Sequence, residues 1–233
     1  MTPDRLQRRN NVPTKGWGVA QAETAIQLYG VVEAGEAALD RLMAALSAAE
    51  FASVLILPPT DGALDAAGAR ALVEAAQSKD VAALIAGDAQ LARSLRADGV
   101  HLSPGKDLAG IYAEARNLLG RVGIVGVDPG ISRHDAMTLA EDGADYLAFG
   151  APLHLKDRDK ACARRDELIA WWAEIFEAPC VAFDVETPEE AEALSRAGAD
   201  FIAIRLPVGA TPAATRELVA GIAAALGVPA SAG

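Results

Sequence analysis

A single (β/α)8 barrel over residues 26–228 is the fold this sequence predicts, on three observations. Short apolar runs alternate with amphipathic stretches eight times along the chain of 233 residues, the pattern of strands joined by crossover helices. The runs are near-continuous rather than alternating, as expected of parallel strands buried on both faces. One phrase also recurs: "ADGVHL" from Ala97, "GADYLAFG" from Gly143 and "GADFIAIR" from Gly198 each place a small-residue turn and an Asp before an apolar run. Asp98, Asp145 and Asp200 are therefore expected at strand starts, at the bottom of the barrel and away from any chemistry.

The elements follow in order. Ile26 to Val32 is a β-branched strand, and Gly35 to Ala49 carries Leu39, Leu42, Met43 and Leu46 at helical spacing. Phe51 to Leu57 is the second strand, stopped by Pro58 and Pro59. A helix from Gly62 to Gln77 leads to the third strand, Val81 to Ala86, and Asp88 is placed to cap the helix that follows. Gly99 to Ser103 is the fourth strand, with Asp107 as the next cap. Val122 to Val127 is the fifth, and Ser132 caps a helix that ends near Gly143. Tyr146 to Gly150 is the sixth, followed by a long charged loop, "HLKDRDK", and a helix from Arg164 to Glu177. Cys180 to Val185 and Phe201 to Leu206 are the last two strands. Thr187-Pro188 with Glu190 is a capping box, and Thr211-Pro212 repeats the cap chemistry.

Composition limits the function. Net charge is −11 and the pI about 4.7, so counterion release gives no drive toward nucleic acid and an anionic membrane surface repels the chain. The two cysteines, Cys162 and Cys180, form no CxxC pair, which disfavours a zinc site and suits two reduced thiols in the cytoplasm. Residues 1–25, with Arg5, Arg8, Arg9 and Lys15, lack a signal peptide's apolar stretch and are expected to form a flexible basic tail. The expected partners are a small phosphorylated molecule and a second copy of the chain as a homodimer.

In a barrel of this kind the chemistry sits where the strands end. The turn Gly130–Ile131–Ser132–Arg133–His134 combines backbone amides at a helix start, a cation and a ring that titrates near neutral pH. Gly130, Ser132 and Arg133 are thus candidate anion-binding residues and His134 a candidate acid–base; the plainer alternative is a capped, solvated helix start. The charged loop after the sixth strand supplies Lys156 as a clamp candidate, with Arg158 and Lys160 beside it. Asp88, Asp107, Asp128 and Asp184 together could ring the mouth and hold Mg²⁺, with Asp88 and Asp107 the favoured ligands.

At these strands the sequence resembles the thiamine phosphate synthase family, which includes the thiazole tautomerases. "LIAGDAQLARSLRADGVHLSPGKDL", "RHDAMTLAEDGADYLAFGAPL" and "APCVAFDVETPEEAEALSRAGADFIAI" carry the resemblance, which spans Ile26 to Leu226. It implies a barrel that couples a hydroxymethylpyrimidine pyrophosphate to a thiazole phosphate with the help of Mg²⁺. The departures concern phosphate binding. The family's Gln-x-Arg-x-Lys falls on Leu55 to Pro59, and its Asn-Asp falls on Ala86 and Gly87, with Asp88 one residue on. Its strand-five Ser falls on Asp128, and its phosphate-binding Gly-Gly falls on Asp184 and Val185. The expectation is a synthase-like protein with weakened or lost activity. The rivals are a tautomerase-like proton-transfer enzyme using His134 and a non-catalytic ligand-binding barrel.

Overall fold

The computed structural model describes residues 25–152 and 155–231. Residues 1–24 of the tail expected over 1–25, and His154 of the charged loop, therefore lie outside the described residues. Strands β1 (Gln27–Glu33), β2 (Phe51–Leu57), β3 (Ala82–Ala86), β4 (Gly99–Leu102), β5 (Ile124–Val127), β6 (Tyr146–Phe149), β7 (Cys180–Val185) and β8 (Phe201–Leu206) close in sequence order into a barrel. Every pairing is parallel, and β8 returns to β1 with Ala203 opposite Tyr29. Helices α1 (Ala38–Ala48), α2 (Ala66–Gln77), α3 (Ala89–Leu95), α4 (Leu108–Leu119), α5 (Arg133–Glu141), α6 (Arg158–Ile175), α7 (Pro188–Ala197) and α8 (Pro212–Leu226) follow their strands.

Because each strand is covered on both faces, there are two cores. The larger lies between sheet and helices, with Leu28, Val54, Ile85, Val125, Leu147, Trp172 and Ile202 among its members. The smaller fills the lumen with Tyr29, Val31, Leu55, Leu84, Tyr146, Ala148, Val181 and Ala203. The two sets interleave along the strands at a period of two.

The recurring Asp has one job in all three places. Asp98 Oδ2 accepts from the Ala83 amide, Asp145 Oδ2 from Val125 and Asp200 Oδ2 from Cys180, at 2.7–2.9 Å. Each Asp also donates its own amide to the carbonyl of that same residue. An amide at the start of strands 3, 5 and 7 is thus held by a side chain from the segment leading into the neighbouring strand. This explains the repeat as a structural device at the bottom of the barrel.

Asp88, Ser132, Thr187 and Thr211 cap their helices as expected, each side chain accepting an amide three residues on. Asp107 stands at the cap position of α4 but makes no such bond, because its φ of −129° and ψ of 46° depart from extended cap geometry. The charged segment read as a long loop is shorter than expected. Asp157 accepts from the Lys160 amide, and α6 starts at Arg158, six residues before the expected Arg164. That cap signal was hidden in a run of mixed charge.

Candidate functional site

The period of two fixes what reaches the mouth. On β1 the inward series Tyr29, Val31 continues to Glu33; on β8, Phe201 and Ala203 continue to Arg205; on β7, Val181 is followed by Phe183. On β4 the inward residue is His101, and on β6 it is Tyr146. Gly126 of β5 is what admits the Tyr146 ring, since a β-carbon at Gly126 would overlap Tyr146 Cζ.

The lumen holds a chain of hydroxyls and an imidazole. Tyr29 Oη and Tyr146 Oη share a hydrogen bond of 2.8 Å, and Tyr146 Oη lies 3.0 Å from His101 Nδ1. His101 is stacked on Tyr146 at 5.8 Å and on Phe183 at 5.2 Å between centroids. Burial pushes its pKa down to about 4, so the ring is neutral at physiological pH. Burial drives both tyrosine hydroxyls the other way, well above their ordinary value.

Above this floor the mouth is charged. Burial raises the Asp128 pKa to about 6, against the hydrogen bond its Oδ1 accepts from the Gly130 amide at 2.7 Å and with help from the charge of Asp184. Asp184 lies 3.9 Å from the Arg205 guanidinium, and its carboxylate occupies the space over Gly150, where a β-carbon would come within 2.8 Å. Glu33 accepts from the amide and hydroxyl of Thr60 at 2.7 and 2.8 Å, which hold its pKa below the usual value; Arg205 lowers it further. Two buried arginines support this rim from beneath. Arg41 of α1 donates to the carbonyls of Glu33 and Glu36, and Arg165 of α6 donates to those of Phe183 and Asp184.

The residues expected from sequence are distributed unevenly around this mouth. Asp184 faces it. Gly130 borders it in a left-handed turn with φ of 63°, its amide already donated to Asp128. Ser132 spends its hydroxyl on the Asp135 amide. Arg133 bonds Glu167 at 3.0 Å and lies 4.7 Å over the Trp171 ring, so its charge is directed toward α6. His134 is exposed on the first turn of α5, and Lys156 is exposed just before α6. Asp88 and Asp107 are exposed in the loops after β3 and β4, at the starts of α3 and α4. The four-Asp ring does not form: Asp128 and Asp184 sense each other's charge, but among the described residues no three His, Cys, Asp or Glu side chains converge on one point. Neither cysteine is bridged.

Sequence reasoning passed over His101, Tyr146, Phe183 and Glu33. One signal was available: a His and a Tyr within otherwise aliphatic strands need polar partners when buried.

One lumen group and one mouth group give opposite pH trends. His101 is depressed from 6.5 to about 4, so its contribution is present above pH 6.5 and lost as pH falls through 4. Asp128 is raised from 3.8 to about 6, so its contribution is present below pH 3.8 and lost as pH rises through 6. Each spans about 3 kcal/mol at about 1.4 kcal/mol per unit. Asp128→Asn should therefore be more stable than the parent at pH 7.5, with the advantage shrinking toward pH 4.5. Urea midpoints at the two pH values measure this. An equal advantage at both would mean that Asp128 does not titrate in a buried site.

Comparison with known proteins places this geometry among relatives. A family model described as thiamine monophosphate synthase matches residues 28–208. A thiamine-phosphate synthase of Erythrobacter litoralis is 45% identical over 150 residues, covering 63% of this chain and 69% of the relative. One from Rhodospirillum centenum is 41% identical over 144 residues, covering 62% and 68%. Among solved structures, thiamine phosphate pyrophosphorylase from Pyrococcus furiosus superposes with a TM-score of 0.69 at 19% identity, over 89% of this chain and 98% of that one. Tryptophan synthase of Mycobacterium tuberculosis gives 0.70 at 14% identity, over 88% and 94%. At such identities these structural likenesses concern the barrel alone. Among the described residues no helix is long and apolar enough to cross a membrane.

Proposed function

Because the chain belongs to the thiamine monophosphate synthase family, we propose that it carries that family's coupling chemistry, thiamine phosphate formation, with weakened turnover. The observation that carries the qualification is the charge of the mouth. Glu33 and Asp184 flank Arg205, and Asp128 senses the charge of Asp184; Asp128 and Asp184 stand at strand ends where the family resemblance calls for phosphate binding.

In the reaction the C–O bond between the pyrimidine methylene and pyrophosphate breaks, and the thiazole nitrogen forms the new C–N bond. The half-buried Phe183 ring, stacked on the buried His101, offers a flat wall for a heterocycle at the lumen's upper end. Carboxylates at the mouth stabilise positive charge developing on the methylene carbon. The same carboxylates oppose the pyrophosphate, and Arg205 offsets them only in part. Mg²⁺ would neutralise the leaving pyrophosphate. Asp88 and Asp107 would hold it: both are exposed in the loops that follow the adjacent strands β3 and β4, and Asp107 spends no oxygen on its own helix. Two carboxylates suffice for an ion that keeps waters and takes phosphate oxygens.

A second reading, proton transfer on a heterocycle, is favoured by Asp128, whose carboxyl titrates at about 6. The titrating group at the mouth is then Asp128, with His134 exposed on α5.

The test is thiamine phosphate formation from the two substrates with Mg²⁺. Turnover should fall well below ~1 s⁻¹, the low end of ordinary enzymes, and Arg205→Ala should reduce it further. Turnover at or above that level would remove the qualification. No product together with retained binding of either substrate would favour the non-catalytic barrel.

A further inference from the structure

The end of β7 is distorted. Its pairing with β8 runs Ala182 with Ile202 and then skips to Val185 with Ile204. Within the skip, Asp184 has a φ of 57°, in the left-handed region that costs a non-glycine residue free energy, Asp less than most. Such a residue persists only where its surroundings over-determine it, and bulges of this kind re-aim side chains at barrel rims.

What over-determines it is a buried guanidinium. Arg165 is 1% exposed. Its Nη1 donates to both the Phe183 and Asp184 carbonyls at 3.2 Å, the two peptide groups that flank the bulge. Its Nη2 donates to Glu190 Oε1 at 2.7 Å and its Nε to Asp166 at 3.0 Å. Glu190 in turn accepts from the Glu186 amide through its other oxygen at 2.7 Å. α6 and α7 are thus tied to both sides of the strand end by one ion pair. An Arg provides this and a Lys does not, because only the planar fork reaches two carbonyls and a carboxylate at once.

We propose that Arg165, held by Glu190, is a positioning residue that locks Asp184 in its left-handed conformation and so delivers the Asp184 carboxylate, with Phe183, into the barrel mouth. It touches no substrate; it decides where a mouth charge stands. The inference rests on Asp184 being part of the mouth, as in the proposed function, but its test needs no turnover. Failure of the coupling assay would leave it standing.

The readout is the titration of Asp128, followed by ¹³C NMR of its carboxyl carbon. Asp128 is faced by Asp184 from β7, by Tyr146 from β6 and by the Gly130 amide from its own loop, and Asp184 is faced by Arg205 from β8. Asp184→Gly removes the like charge and should lower the Asp128 midpoint from its value of about 6. Arg165→Lys should lower it in the same direction, because the released strand end carries Asp184 away. Glu190→Gln, nearly isosteric, is the second variant and should act likewise. Arg165→Lys should also lose less stability in the Asp184→Gly background than alone, because glycine adopts the left-handed conformation without a brace. A folded Arg165→Lys protein whose Asp128 midpoint matches the parent's would overturn the proposal. So would an unmoved midpoint in Asp184→Gly, which would break the pairing it relies on. If Arg165→Lys and Glu190→Gln both fail to fold, the ion pair is a folding element and the positioning role is rejected.

Discussion

Gly126→Ala is expected to lower unfolding stability by about 3 kcal/mol or more, at the upper end of what overpacking a core does. The added β-carbon would overlap the ring of Tyr146, and this ring has nowhere to go. Its hydroxyl is tied to Tyr29 and His101, its edge meets Tyr29 at 5.8 Å, and its face stacks on His101. Moving it would strand three buried polar groups in the lumen, each a further cost of about 1–3 kcal/mol. For a chain of this size the shift in midpoint is about 6–12 °C. Gly62→Ala serves as the control, since a β-carbon there meets only Pro59 Cγ at 3.7 Å; its change should stay within about 0.5 kcal/mol. Combining Gly126→Ala with Tyr146→Leu makes room and should recover part of the loss. A change below about 1 kcal/mol for Gly126→Ala alone would show that the Tyr146 ring is not held against β5.

The second large effect concerns anion binding. Asp128→Ser combined with Asp184→Gly should bind inorganic pyrophosphate at least tenfold more tightly than the parent at pH 7.5. A carboxylate roughly 5 Å from a bound oxyanion opposes it by up to about 3 kcal/mol at an effective dielectric of about 20. Screening by salt reduces that figure, and a tenfold change needs only about 1.4 kcal/mol. The backbone favours the exchange, because residue 184 already has a φ of 57° that glycine adopts freely. Calorimetric titration measures the affinity, with Glu141→Gln, an exposed carboxylate at the end of α5, as the control for net charge. Parent affinity should also rise as pH falls through about 6, where Asp128 takes up its proton, and the double variant should show a flatter profile. Equal affinities in parent and double variant would mean that the mouth carboxylates do not face the anion.

The sequence by itself determined the barrel. Eight apolar runs, the helix caps at Asp88, Ser132, Thr187 and Thr211, and the family phrases around "ADGVHL" are local signals, carried by residues close together in the chain. It also placed Asp128 and Asp184 at strand ends, because a strand that stops on a carboxylate is visible in one dimension. Only the tertiary structure decided what those residues do. Strands buried on both faces have no polar alternation, so His101 and Tyr146 signal a need for polar partners, but nothing local says that they and Phe183 face the lumen. Closure of the ring brings Arg205 of the last strand within reach of Glu33 of the first, and Gly126 makes the room that admits Tyr146 from the next strand. The left-handed turn at Asp184 belongs to the same class. It runs against the residue's own preference, and it exists because Arg165, nineteen positions earlier in the chain, reaches its carbonyl from a neighbouring helix.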